Sequence, residues 1–204
     1  MTLLAQMRLP VYQVLPSGLV DGHTEFFYND IFVYALHRGV LIRWENWTEE
    51  LYLLAEEDMA KNPIAVQCLI DLGIEGRLDM IWQYIRCRYG AFDKHPDVDE
   101  AGNAKHTEYL DCGIRGKCAY EGKLCSTIKA PYGIISWREI EVIKLVADGL
   151  LNKEIADQLN ISVTTVPVHL QNIFRKTGMA HRGELIRFAI EHNLINCLPN
   201  PNNL

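Results

Sequence analysis

Ile135-Ser136-Trp137-Arg138-Glu139-Ile140-Glu141-Val142 is the stretch on which the reading of this chain turns. Serine three residues ahead of glutamate, at the head of an apolar run, is a capping box. The serine oxygen accepts an amide at the helix start, and the glutamate reaches back to the cap residue's own amide. A helix is therefore predicted from Trp137. Ile140, Ile143 and Val146 give it one apolar stripe, and Gly149 supplies the left-handed residue that lets it stop.

Three more short helices follow from the same kind of signal. Ile155, Ala156 and Leu159 lie on one side of a second helix, which ends at Asn160, a residue type that tolerates positive φ. Ile161 plugs the turn. Ser162 caps a third helix with Val166, Leu170, Ile173 and Phe174 inward and Thr164, Val168, Gln171 and Arg175 outward, closed by Gly178. A fourth helix, about 182–192, has Leu185, Phe188 and Ala189 as its apolar side. Four short helices with a tight turn between the second and third match the architecture of a major-groove reader, although periodicity alone also fits a small helical interaction domain.

Residue identities favour the first. The opening octet, then Gly149, Asn152-Lys153-Glu154-Ile155-Ala156, Leu159-Asn160-Ile161-Ser162, Thr165-Val166, His169 and Lys176, closely resembles the LuxR-type (GerE-type) helix-turn-helix domain. The resemblance covers only the C-terminal third. It implies a third helix in the major groove of double-stranded DNA and a fourth helix that forms a homodimer contact. Carried over by position, Pro167, Val168 and Gln171 would face bases. Lys153, Thr164, Thr165, Arg175, Lys176 and Arg182 would lie near the phosphate backbone or beside it. Gln171 suits a bidentate contact with adenine, and Val168 a thymine methyl. Two positions depart from the family pattern: Leu151 stands where serine or threonine is usual, and Pro167 where lysine is usual. A proline that far into the helix predicts a mild bend and the loss of one cation.

Net charge is −6, which disfavours a nucleic-acid partner until its distribution is considered. Residues 134–204 hold seven Lys/Arg and seven Asp/Glu, so the excess acid lies upstream. Arg175, Lys176, Arg182 and Arg187 form the natural phosphate-facing patch, opposed there only by Glu184. No signal-peptide or membrane-spanning pattern opens the chain, and a cytoplasmic location is expected.

Upstream, the expected fold is mainly α: a mostly helical N-terminal domain over 1–128, a linker at 129–133, the helix-turn-helix domain at 134–196 and a tail at 197–204. Helices are predicted from Thr48 to Asn62, from Pro63 to Leu72 and over about 77–89. Residues 1–47, rich in aromatics and turn residues, fit short strands or helices equally, and their aromatics suit either a core or a ligand pocket. Residues 91–133 have no strong period. Such a segment is functional, disordered, or stapled by something other than a hydrophobic core.

Cys112, Cys118 and Cys125 punctuate that segment in a glycine-containing run, and Cys87 closes the preceding helix. Three soft ligands on a flexible loop can converge on one centre, with Cys87 as the fourth and His106 or His95 in reserve. Zinc fits such a site, an iron–sulfur cluster also takes four cysteines, and free or redox-active thiols remain open. Cys68 reads as core, and Cys197 has no evident role. A metal loop abutting the DNA-binding domain would stabilise the N-terminal domain or control the reader's orientation. A phosphorylated receiver domain is excluded by the absence of its acidic and lysine series. An enzyme built on Cys112 and His106 lacks an orienting third group. The remaining rival is a protein-binding regulator that retains the helix-turn-helix scaffold without strong DNA binding.

Overall fold

The computed structural model describes residues 16–195 apart from 30, 94 and 106. His106, Cys197 and the expected tail therefore lie outside the described residues. The chain forms two cores, one on each side of the cysteine loop.

The N-terminal half is largely helical, as expected, but not purely so. It opens with an antiparallel meander, β1 (Thr24–Tyr28), β2 (Val33–His37) and β3 (Val40–Arg43), in that order across the sheet. Phe26 pairs with Ala35, and Ala35 with Ile42. The β2–β3 turn is Arg38-Gly39, both at positive φ (48° and 78°), as the right-handed twist of a two-residue hairpin requires. Val98 bridges to Thr24 through two backbone hydrogen bonds of 2.9 and 3.1 Å, extending the β1 edge.

Three helices form as the periodicity predicts, α1 (Glu49–Lys61), α2 (Pro63–Asp71) and α3 (Arg77–Arg88); α3 packs on β1 and β2, and α1 and α2 pack against α3. Ile81, Tyr84 and Ile85 of α3 are buried with Phe26, Leu51 and Leu69. Burial of each such aliphatic side chain contributes about 1.5–3 kcal/mol relative to exposure. The aromatics of 26–47 supply this core: Phe26 and Trp47 are both buried, with ring centroids 5.0 Å apart.

In the C-terminal half, residues 129–133, expected as a linker, take part in a short hairpin. Lys129–Ala130 (β4) and Gly133–Ile134 (β5) pair antiparallel. Four helices follow: α4 (Trp137–Ala147), α5 (Asn152–Leu159), α6 (Thr165–Thr177) and α7 (Arg182–Glu191). The Ser136–Glu139 capping box is made in both directions. Asn160 takes φ 51°, and Gly149 and Gly178 take 85° and 74°, ending their helices in the left-handed region. Ile143, Ile155, Val166, Ile173, Leu185 and Ala189 form the second core. A cleft of about 580 Å³ lies between the two halves, bounded by Arg88, Glu108, Tyr109 and His192.

Candidate functional site

The stripe of α6 opposite the core is the first candidate. Thr164, Val168, Gln171 and Arg175 are spaced at four, three and four residues, so they share one helical face, and all four are exposed. Pro167 is exposed beside them. Val168 leaves 53% of its surface open, which its neighbour Val166, fully buried, does not. Thr165 is half-buried, and Lys153 is exposed on α5.

Pro167 is the third residue of α6, because the helix begins at Thr165. The first-turn amides of a helix have no intrahelical partner, so a proline there removes no hydrogen bond. The helix accordingly runs unbroken to Thr177, with no interruption at the position where a bend was expected. The N-cap of α6 is Thr164, without a side-chain cap, and not Ser162 as expected; Ser162 lies two residues earlier, where its Oγ accepts the Thr164 amide at 3.3 Å. Leu151 at the N-cap of α5 has no side-chain acceptor; Glu154 accepts the Leu151 amide at 2.6 Å, so only half of the reciprocal cap forms.

Two of the expected backbone cations are engaged inside the domain. Lys176 Nζ lies 2.6 Å from Glu139 Oε2, tying the end of α6 to the start of α4. Burial opposes ionisation of Glu139, yet Lys176 and the Ser136 hydrogen bonds outweigh it and hold the carboxyl below its ordinary range. Arg182 donates to Asn152 Oδ1 and to the Leu150 carbonyl, both at 2.6 Å, and so clamps α7 to the α4–α5 turn. Lys153, Arg175 and Arg187 remain as the exposed cations of the expected set, Arg187 within 3.5 Å of Glu191. Leu185, Phe188 and Ala189, the apolar side expected to meet a second copy, are buried within the domain, whereas Ile186 and Ile190 are exposed one turn apart.

The cysteines form the second candidate. Cys87, Cys112, Cys118 and Cys125 all line one cavity of about 200 Å³, with Leu72, Ile74, Leu110, Ile114 and Leu124 around them. Cys68 lies in the first core, as expected, and His95 lines the interdomain cleft. Burial pushes the Cys87 thiol up to about 11. Gln83 Nε2 donates to Cys87 Sγ at 3.0 Å. Arg115 holds the loop together through the Leu110 and Ser126 carbonyls at 2.9 and 2.7 Å, and lies over the Tyr109 ring.

This loop rests directly on the C-terminal half. Gly116, at φ 78°, meets the Trp137 indole so closely that an added Cβ would lie 2.1 Å from a ring carbon. Asp111 pairs with Lys144 of α4 at 2.5 Å, and that pairing holds its carboxyl below the usual range. Leu124 belongs to the first core and Ile128 to the second.

A third cluster escaped sequence reasoning. Glu25 of β1, Asp97 and Glu108 are buried with carboxylate oxygens within 4.8 Å of one another. Burial, with mutual repulsion, pushes Glu25 up to about 9 and Asp97 well above its ordinary value; burial pushes Glu108 up to about 8. Asp97 accepts the Phe26 amide at 2.7 Å and Glu25 the Asp93 amide at 2.9 Å, so the trio stitches the irregular segment to the sheet. Among the described residues, no helix is long and apolar enough to cross a membrane.

Comparison with known proteins bears on the C-terminal half only. Residues 134–189 match the family described as bacterial regulatory proteins, luxR family. A probable transcriptional regulator ycf29 of Cyanophora paradoxa is 48% identical over 58 residues, 28% of each chain. The oxygen regulatory protein NreC of Staphylococcus aureus is 42% identical over 65 residues, 32% of this chain and 30% of that protein. The chain thus spans under a third of the length of the curated relatives it matches. No solved structure matches it. Capping box, left-handed Asn160 turn, exposed α6 stripe and family match agree, and residues 134–189 are a LuxR (GerE)-family helix-turn-helix domain.

Proposed function

We propose that this protein is a transcriptional regulator that binds double-stranded DNA by laying α6 in the major groove. The observation that carries the reading is the exposed stripe of Thr164, Val168, Gln171 and Arg175 on a helix whose opposite side is fully buried. Gln171 reads adenine, Val168 and Pro167 give apolar contact to a thymine methyl, and Lys153, Thr164, Thr165 and Arg175 meet phosphates. Lys176 and Arg182 act from behind, fixing the ends of α6 and α7. A second copy of the chain, docked against Ile186 and Ile190, would supply the paired half-sites that such domains use. Selection of duplexes from a randomised pool by the full chain tests this directly. Enrichment of a common sequence supports it, and recovery of none overturns it. The small number of exposed cations favours one rival, a protein-binding regulator on the same scaffold, and that result would leave it standing.

The four cysteines lead to a finer proposal: a thiolate-held metal centre that orders the loop and, through Gly116 and Asp111, fixes the DNA-binding domain against the N-terminal half. Its support is the convergence of Cys87 with the three loop cysteines on one cavity, although Cys87 is separated from Cys112 by a whole irregular segment. Such a loop has little apolar content with which to offset its ordering entropy, and metal ligation contributes that free energy.

A further inference from the structure

Resting on the reading of a thiolate-held centre, we infer that the group bound by Cys87, Cys112, Cys118 and Cys125 is a polynuclear iron–sulfur cluster and not a single zinc ion. The argument begins from size. A tetrahedral zinc ion binds thiolate sulfur at about 2.3 Å, which draws its four sulfurs to within roughly 3.8 Å of one another. Among the described residues, the group of three or more ligating side chains drawn within 4.8 Å is the Glu25–Asp97–Glu108 trio, and the cysteines are not in it. They stand instead around about 200 Å³ of space. One ion at its centre would leave most of that space to solvent, out of contact with the lining. A cluster whose iron and bridging sulfide atoms fill the middle meets the thiolates at its periphery.

The lining fits the same group. Leu72, Ile74, Leu110, Ile114 and Leu124 make the lining largely apolar, and the polarity of the surround is one of the controls on a cluster's potential. A dicationic core held by four thiolates leaves a net dianion. Arg86 and Arg115 are among the lining residues and place positive charge beside it, although Arg115 also bonds the Leu110 and Ser126 carbonyls and stands 3.6 Å from Glu121. Arg86 Nε is buried with no protein hydrogen-bond partner, and the Gln83 amide already donates to Cys87 sulfur. N–H donors aimed at ligating sulfur are a main control on cluster potential. Each thiol surrenders its proton on ligation, so assembly is favoured by rising pH.

The test uses the full chain, purified without oxygen and reconstituted with ferrous iron and sulfide, and assayed for iron, acid-labile sulfide, zinc and visible absorption. The cluster reading expects brown protein with iron and labile sulfide in equal amounts. It expects Cys112→Ser and Cys125→Ser to retain roughly tenfold less labile sulfide, while Cys68→Ala, outside the cavity, keeps it. Far-ultraviolet circular dichroism separates failed folding from failed ligation, and Gln83→Leu, which removes a donor but no ligand, should shift the cluster's potential in folded protein. Colourless protein holding one zinc and no labile sulfide overturns the cluster and leaves the metal reading standing. Colourless protein that takes up neither metal overturns both.

Discussion

On the proposed function, Leu151 bears on the stability of the helix-turn-helix domain and Pro167 on its hold on DNA. Leu151 occupies an N-cap and is 69% exposed, so it gains nothing from burial and leaves half a capping box unmade. Leu151→Thr restores the missing acceptor and is expected to stabilise the protein by about 1 kcal/mol, raising the melting temperature by about 3 °C. Thermal unfolding of the two proteins checks it; no gain would mean that α5 is capped by other means. Pro167 presents an apolar ring on the exposed side of α6 at a position where the resemblance implies a lysine, and its place in the first turn makes it replaceable without loss of a hydrogen bond. Pro167→Lys is expected to tighten DNA binding and to steepen its salt dependence by about one counterion. An unchanged slope in an anisotropy titration would show that a cation at this position reaches no phosphate.

At the scale of elements, the irregular segment between α3 and β4 owes its order to what it carries. The buried Glu25, Asp97 and Glu108 join it to β1, and each keeps its proton to a higher pH than an unfolded chain would. Native protein therefore binds more protons than unfolded protein between the ordinary carboxyl range near 4.5 and about 9. The stability they contribute is fully present below that window and falls as pH rises through it. Melting temperatures compared at about pH 6 and about pH 9 should drop at the higher value, and Glu108→Gln should flatten the drop. A rise with pH would contradict the assignment. This trio was illegible in the sequence because Glu25 lies far from its partners along the chain and reads as a surface strand residue. The sheet was illegible for a related reason: Thr24, Glu25 and Phe26 are all buried, which erases the alternation that marks a half-exposed strand. Its β2–β3 turn uses Arg38-Gly39, without the Asn-Gly signature. The C-terminal helices were legible because Ser136, Gly149, Asn160 and Gly178 act locally, and the apolar positions between them keep a 3.6-residue period. The convergence of the loop cysteines was legible as composition, but the cavity they enclose required the fold.

In the whole molecule, the cysteine loop is the piece through which the two halves meet. Gly116 on Trp137 and Asp111 on Lys144 join it to α4, Leu124 anchors it in one core and Ile128 continues into the other. The exposed stripe of α6 lies on the helix-turn-helix domain that α4 opens, so on the proposed function a change in the loop's order would reach it through packing and one ion pair. That arrangement has a purpose only if α6 reads DNA. The most direct measurement is the affinity of the full chain for its selected duplex across a range of salt concentrations, compared with Gln171→Ala and Arg175→Ala. The account predicts that log affinity falls linearly with log salt, that Arg175→Ala lowers the slope by about one, and that Gln171→Ala costs about 1–3 kcal/mol of discrimination at a single base pair without changing the slope. Binding that ignores salt, or that is equal for all three proteins, would contradict it.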